Sequence, residues 1–118
     1  MDVRQQVGRH GEDAAVAYLE QQGFAVLARN WRCRAGELDV VAREGRTLVF
    51  CEVKTRRGVG FGPPLDAITW RKQARLRQLA SAYLAETGGH RGLIRIDAIG
   101  ILLRPGTTPE IHHVRGVA

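Results

Sequence analysis

The chain is poor in cysteine and in long apolar runs, and each scarcity excludes a class of protein. Its two cysteines, Cys33 and Cys51, have neither CxxC nor zinc-type spacing, so neither a disulfide framework nor a zinc finger is indicated. No apolar run approaches the ~20 residues of a membrane span. The first residues also lack the apolar core of a signal peptide. We therefore expect a cytoplasmic protein with no membrane partner.

Lysine is also scarce, although the chain is basic. Eighteen Lys and Arg residues stand against twelve Asp and Glu, giving a net charge of +6, and only Lys54 and Lys72 are lysines. This excess of positive charge indicates a polyanionic partner, of which nucleic acid is the usual one. The alternative is that an arginine-rich composition follows coding bias.

The length of 118 residues and the apolar fraction of 44% are those of one globular domain spanning residues 1–118. Periodicity predicts helices over 8–22 and 65–87, the second with Thr69 as an internal N-cap, and strands over 24–28, 37–42, 47–54, 93–103 and 110–114. The connections include a basic loop at 30–36, a tight turn at 43–46 and a glycine-rich loop at 55–64. The order α-β-β-β-α-β-β predicts an α/β fold with a mixed sheet flanked by helices.

The strand 47–54 carries the most informative pattern of charge. Because side chains alternate along a strand, Phe50, Glu52 and Lys54 share one face. A lysine can lose its proton near a metal or in a dry pocket, whereas an arginine cannot. Lys54 is therefore a candidate to orient or activate a water molecule, the alternative being a surface lysine at a strand end.

The turn at 43–46 brings a second acid to this face. If its two central residues form the loop, Asp39 lies opposite Phe50 and shares the face of Glu52 and Lys54. Any even-numbered loop preserves this result, while an odd loop or a bulge reverses it. Two acids among apolar neighbours are costly unless they are paired or bind a metal. We therefore predict a metal site here, the alternative being an edge hairpin with a solvated charged face.

Each predicted helix contributes one further candidate. Glu12 lies on the apolar face of the first helix, where it can contact the metal site or simply favour the helix dipole. Lys72 lies on the apolar stripe of the second helix. It either snorkels to the rim or points towards a scissile phosphate, and the two interpretations are equally supported.

Other basic and polar residues near the predicted hairpin can contact a phosphate backbone. These candidates are Arg32, Arg34, Arg56, Arg57, Arg71, Gln73 and Arg75. An ordinary solvated surface is the alternative for any single arginine, and a helix-turn cap is the alternative for Gln73.

Four further residues have a structural interpretation as the leading one. Trp31 and Trp70 can stack on unpaired bases, although a core or rim role is favoured. Arg95 and Asp97 share a strand face and predict a structural salt bridge. The pair His112-His113 is no metal motif, because neighbours in a strand face opposite ways.

Together these motifs resemble the PD-(D/E)xK nuclease superfamily and, more closely, the YraN-like family of bacterial proteins. The resemblance spans nearly the whole chain, and it implies a restriction endonuclease-like fold similar to Holliday junction resolvases. The chain departs from the superfamily signature at Leu38, where a proline is usual. The motifs are Gly11-Glu12, Asn30-Trp31-Arg32, Gly36-Glu37-Leu38-Asp39, the run from Phe50 to Arg56, Lys72-Gln73 and Arg95-Ile96-Asp97.

The resemblance and the charged face together suggest a Mg²⁺- or Mn²⁺-dependent endonuclease acting on structured or branched DNA. Asp39, Glu52 and the Val53 carbonyl would bind the metal, and Glu12 would hold a second ion or a water. A homodimer is expected by analogy with junction resolvases. One alternative is a catalytically inactive nucleic-acid-binding module, and another is an assembly factor with a basic protein-binding surface.

Overall fold

The computed structural model describes residues 2–58 and 69–117, which form a five-stranded sheet with one helix on each face. The predicted element order and the mixed α/β sheet are confirmed. The elements are α1 (Val3–Gln21), β1 (Ala25–Cys33), β2 (Gly36–Glu44), β3 (Thr47–Arg57), α2 (Trp70–Thr87), β4 (Ile94–Leu103) and β5 (Glu110–Val114).

The strands lie side by side in chain order, β1 to β5. Only β3 and β4 pair in parallel, and every other neighbouring pair is antiparallel. A parallel pair needs a crossover connection, and α2 lies in that connection on one face of the sheet. Helix α1 packs on the opposite face, so β2 and β3 are covered on both sides.

The two faces of the sheet bury separate apolar clusters. The predicted burial of Cys51 is confirmed, and both cysteines are free thiols. The cluster under α1 contains Ala15, Leu19, Phe24, Val40, Ala42, Val49, Cys51, Ile99 and Ile101. The cluster under α2 contains Leu38, Val41, Leu48, Phe50, Leu76, Leu79, Ala80 and Ile96.

Capping residues set the helix ends. Helix α1 begins five residues earlier than predicted, because Asp2 and Gln5 form a capping box. The predicted N-cap of α2 is confirmed, since Thr69 Oγ1 accepts a hydrogen bond of 3.2 Å from the Lys72 amide. The predicted helix start at 65–68 and the glycine-rich residues 59–64 lie outside the described residues. Neither helix described is long and apolar enough to cross a membrane.

Two predicted loops are partly wrong, because both segments pair with neighbouring strands. The basic segment 30–36 forms a turn only at 34–35, since β1 runs to Cys33 and pairs with the start of β2 at Gly36. Asn30 interrupts the regularity of β1 with a φ of 51°. Strand β3 likewise continues past Lys54 to Arg57, because β4 pairs with it over that length.

The hairpin between β2 and β3 has a different register from the predicted one. Glu44 pairs with Thr47, so the loop is 45–46, and Val41 rather than Asp39 lies opposite Phe50. The positive φ of 59° at Gly45 suits a tight turn of this kind. The predicted and observed registers differ by two residues, so the parity on which the prediction depends is unchanged.

A buried polar network ties β4 to its neighbours. Asp97 is fully buried and accepts hydrogen bonds from Arg95 Nε at 2.7 Å, His113 Nε2 at 2.8 Å and the Gly116 amide at 3.1 Å. The hydroxyl of Tyr18 on α1 lies 2.8 Å from the other ring nitrogen of His113. Burial alone would raise the pKa of Asp97, but the bonds from Arg95, His113 and Gly116 hold it below its usual range. The predicted Arg95–Asp97 salt bridge is confirmed.

We expect Asp97→Ala to destabilise the fold strongly, by about 3–5 kcal/mol, because it leaves three donors, on Arg95, His113 and Gly116, without their acceptor. The matched control is Asp13→Ala, which breaks the exposed ion pair with Arg29 and should cost no more than about 1 kcal/mol. Urea unfolding of both variants measures the difference. Equal losses in the two variants would contradict a structural role for the network.

Candidate active site

Asp39 and Glu52 line one cleft between α2 and the sheet. The cleft has a volume of about 480 Å³. Asp39 lies on β2 one residue beyond the Val40–Cys51 pair, and Glu52 follows Cys51 on β3. The predicted shared face of these two acids is therefore present. The lining residues are Glu37, Asp39, Glu52, Thr69, Arg71, Lys72, Arg75, Leu76 and Leu79.

The surroundings of Asp39 favour the protonated form of its carboxyl group. Burial, followed by the negative charge of Glu52, raises its pKa to about 8, although the Val53 amide opposes the shift by donating a 2.8 Å hydrogen bond to Oδ2. The charge of Glu12 adds a smaller contribution in the same direction. A cation beside Asp39 and Glu52 would relieve this desolvated and repulsive arrangement.

Lys72 supplies the positive charge nearest to this pair. Its Nζ lies 2.8 Å from Glu52 Oε1, and both side chains are largely shielded from solvent. The helical stripe that positions Lys72 continues into the buried Leu76 and Leu79. The lysine therefore points into the cleft, where its ammonium neutralises one carboxylate and could also contact a phosphate.

Lys54 occupies the position next to Glu52 on the same face of β3. It is half-buried, and it makes no ion pair within the described part of the chain. Its backbone is fixed by the regular pairing of β3 with β4. The residue between them, Val53, donates its amide to Asp39, so β3 contributes to the site through backbone as well as side chains.

Glu12 approaches from the opposite face of the sheet, where it lines a groove with Val53 and Thr55. Its neighbour Gly11 explains the close approach, because a Cβ at Gly11 would overlap the side chain of Thr55. Burial raises the pKa of Glu12, while a hydrogen bond from the Asn30 side chain opposes the rise. Glu12 thus lies beside the end of β3 but outside the cleft of Asp39 and Glu52.

The predicted phosphate-binding residues do not all converge. Arg71 and Arg75 line the acidic cleft, and a Cβ at Gly36 would lie 2.7 Å from Arg75 Nη2. Gly36 thus leaves room for the guanidinium. The other five do not line this cleft. Arg32 Nε lies 3.6 Å from Glu37 Oε2, and Arg57 lines the groove beside the start of α1. Arg34 is exposed, and Arg56 and Gln73 are half-buried.

Two residues of the site were not predicted as functional. Glu37 lines the cleft with Asp39, and strand alternation from Asp39 would have found it. Asn30 bonds Glu12, but its position depends on a positive φ within β1, which no sequence pattern indicated.

The donors at this site fit a hard divalent cation. Carboxylate oxygens are the ligands that Mg²⁺ and Mn²⁺ prefer, and Asp39 and Glu52 present two such groups to one cleft. Across residues 2–58 and 69–117, no three histidine, cysteine or carboxylate side chains converge closely enough to form a metal cluster. A cation held by two carboxylates would complete its coordination with water or phosphate, as Mg²⁺ usually does.

The fold and site define a mixed α/β domain with paired carboxylates beside a lysine. The chain belongs to the Uncharacterised protein family UPF0102, whose model matches residues 11–101, and this is the YraN-like family that the motifs indicated. A UPF0102 protein of Acidothermus cellulolyticus is 54% identical, covering 96% of this chain and 93% of the relative. One from Streptomyces griseus is 50% identical over all of both chains. Among solved structures, Archaeoglobus fulgidus Hjc, a Holliday junction resolvase, is similar with a TM-score of 0.48 and 20% identity, covering 88% of this chain and 74% of that one.

We expect Gly11→Ala to destabilise the protein by about 1–3 kcal/mol, because the added Cβ overpacks α1 against Thr55. Gly8 offers a matched control on the same helix, since a Cβ there meets nothing within 4 Å, and Gly8→Ala should stabilise by up to about 1 kcal/mol. Adding Thr55→Gly to Gly11→Ala should recover part of the lost free energy of unfolding. Chemical denaturation checks the set, and equal effects of the two alanine variants would contradict the contact.

We expect Asp39→Asn to stabilise the protein in EDTA, and increasingly so as the pH rises. An acid whose pKa is raised on folding from 3.8 to about 8 binds more protons in the native state, so wild-type stability falls as pH rises through that window. Asparagine does not titrate, and its oxygen can still accept from the Val53 amide.

Urea unfolding at pH 5 and pH 8 measures this effect, and the advantage of Asp39→Asn should grow by about 3 kcal/mol between them. Asp13→Asn is the matched control, because Asp13 is largely exposed. The same pH trend in both variants would contradict the assignment to Asp39.

Proposed function

We propose that this chain is a Mg²⁺- or Mn²⁺-dependent endonuclease that hydrolyses phosphodiester bonds in structured or branched DNA. The single observation that carries the proposal is the Asp39–Glu52 pair, in which burial, followed by charge repulsion, raises the pKa of Asp39 to about 8. A site that stores this unfavourable charge is better suited to binding a cation than to stabilising the fold.

In this proposal Asp39, Glu52 and the Val53 carbonyl would hold the cation, and Glu12 would support a second ion or a water from the other face. When bound, a divalent cation supplies positive charge that stabilises the phosphate during hydrolysis. The Val53 amide keeps Asp39 oriented through its 2.8 Å hydrogen bond. The backbone of β3 is thus a rigid support for two adjacent ligands.

Lys54 and Lys72 have separate roles in the proposed reaction. Lys54 orients the attacking water by donating a hydrogen bond to it, since its ammonium is not committed to any ion pair with a described residue. Lys72 contacts the scissile phosphate after exchanging its 2.8 Å contact with Glu52 for a phosphate oxygen. Both roles use a compact ammonium, which binds one oxygen at a time.

The basic rim supports DNA as the substrate. Arg71 and Arg75 flank the cleft and would hold the phosphate backbone on either side of the scissile bond. Arg32, Arg34, Arg56, Arg57 and Gln73 would extend this contact beyond the cleft. We place the enzyme in the cytoplasm as a single domain, acting as a homodimer where the substrate has two-fold symmetry.

One observation favours the alternative of a nucleic-acid-binding module without catalysis. The ammonium of Lys72 already neutralises Glu52 at 2.8 Å, so the carboxylate pair has a positive partner from the protein itself. Isothermal titration with Mn²⁺ separates the two functions. The enzyme requires Mn²⁺ binding that is lost in Asp39→Asn, whereas the module predicts salt-sensitive DNA binding alone.

The catalytic test is cleavage of four-way junctions and flaps by the purified chain in Mn²⁺. We expect Glu52→Gln to reduce nicking at least 100-fold while DNA affinity is retained, because the change removes a ligand charge but little volume. Glu20→Gln, an exposed acid on α1, is the matched control and should cut like wild type. Wild-type protein that is as inert as Glu52→Gln across DNA and RNA substrates would overturn the proposal.

A further inference from the structure

Trp70, the first residue of α2, is 72% exposed. The indole ring of an exposed tryptophan places one of the largest apolar side-chain surfaces in contact with water. Single exposed apolar residues are common on protein surfaces, so exposure alone assigns no role to this residue. Its surroundings distinguish it from an ordinary surface residue.

The other tryptophan of the chain provides the contrast. Trp31 donates its indole N–H to Glu86 at 2.9 Å, and its ring packs edge-on against Tyr83 with the centroids 5.3 Å apart. Trp31 therefore has the partners of a structural tryptophan. Within residues 2–58 and 69–117, the aromatic contact of Trp70 is with a cation, since the Arg71 guanidinium lies 5.8 Å from its ring centroid.

Arg71 connects Trp70 to the acidic cleft, because the same side chain also lines that cleft with Lys72 and Arg75. The first turn of α2 contains no acidic residue. An aromatic ring beside one arginine, with further cations in the adjoining cleft and no carboxylate on its own helix turn, has the composition of sites that bind single-stranded nucleic acid. Cations hold the backbone at such sites, and the ring stacks with a base.

We infer that Trp70, together with Arg71, is a stacking platform for an unpaired nucleobase at the rim of the Asp39–Glu52 cleft. Arg71 would contact the phosphate on the side of the cleft while its guanidinium remains over the indole. The base must be unpaired, because the faces of paired bases are covered by their neighbours in the duplex. Stacking is tolerant of sequence, since every base has a π-face.

This inference deepens the proposed function and rests on it for the position of the cut. It selects, among structured DNA substrates, those with an unpaired nucleotide next to the scissile phosphate. Base stacking itself requires neither a cation nor catalysis. The two proposals can therefore fail separately.

The experiment measures binding in EDTA, where no cleavage is expected. Trp31→Phe leaves Trp70 as the sole tryptophan, and its fluorescence is followed during titration with an oligothymidylate strand and with a blunt, fully paired hairpin of equal charge. We expect saturable quenching by the single strand and little by the hairpin.

Affinities at one fixed salt concentration then test the residue itself. Trp70→Ala should weaken single-strand binding at least about fivefold and hairpin binding less than twofold. Trp70→Phe should restore part of the single-strand affinity, and Trp70→Leu should not. Because Trp70 is exposed, circular dichroism should show all three variants folded.

Equal quenching by the single strand and the hairpin would overturn the inference, and so would unchanged single-strand affinity in Trp70→Ala. A cutting enzyme with either result would keep the proposed function and lose the platform. Selective quenching by a wild-type protein that never cuts would support the platform while the catalytic proposal fails.

Discussion

The carboxylates of Asp39 and Glu52 lie side by side at the end of a buried hairpin, and the neighbouring residues must balance their negative charge. Asp39 cannot ionise freely beside Glu52, because burial and the like charge both favour its protonated form. The compensations come from three elements. The Val53 amide on β3 bonds Asp39, Lys72 on α2 pairs with Glu52, and Arg71 and Arg75 surround the cleft.

Asp97 is another buried carboxylate, and a comparison with it shows what is unusual about Asp39. Asp97 is more deeply buried than Asp39, yet the bonds from Arg95, His113 and the Gly116 amide keep its pKa low. A buried acid with all its acceptors satisfied contributes to the fold. Asp39 has one backbone donor and a like-charged neighbour, so its environment carries a cost that a bound cation would remove.

Strand alternation explains why the site was largely predictable from the sequence. Asp39, Glu52 and Lys54 depend only on parity, so a two-residue error in the hairpin register left them on one face. The Thr69 cap was also predictable, because a threonine before an apolar stripe is a local signal. Asn30 and His113 were not, since one depends on a positive φ and the other on contacts between α1, β4 and β5.

The orientation of α2 links the chemistry of the cleft to the surface around it. Thr69 fixes where the helix begins, and the buried Leu76 and Leu79 fix which face meets the sheet. Once both are set, helical geometry points Lys72 at Glu52, while Trp70, two residues earlier in the same turn, faces solvent. Arg71 lies between them and contacts both environments. One capped helix end therefore presents a cation to the carboxylates and an aromatic face to solvent, and neither can be repositioned without moving the other.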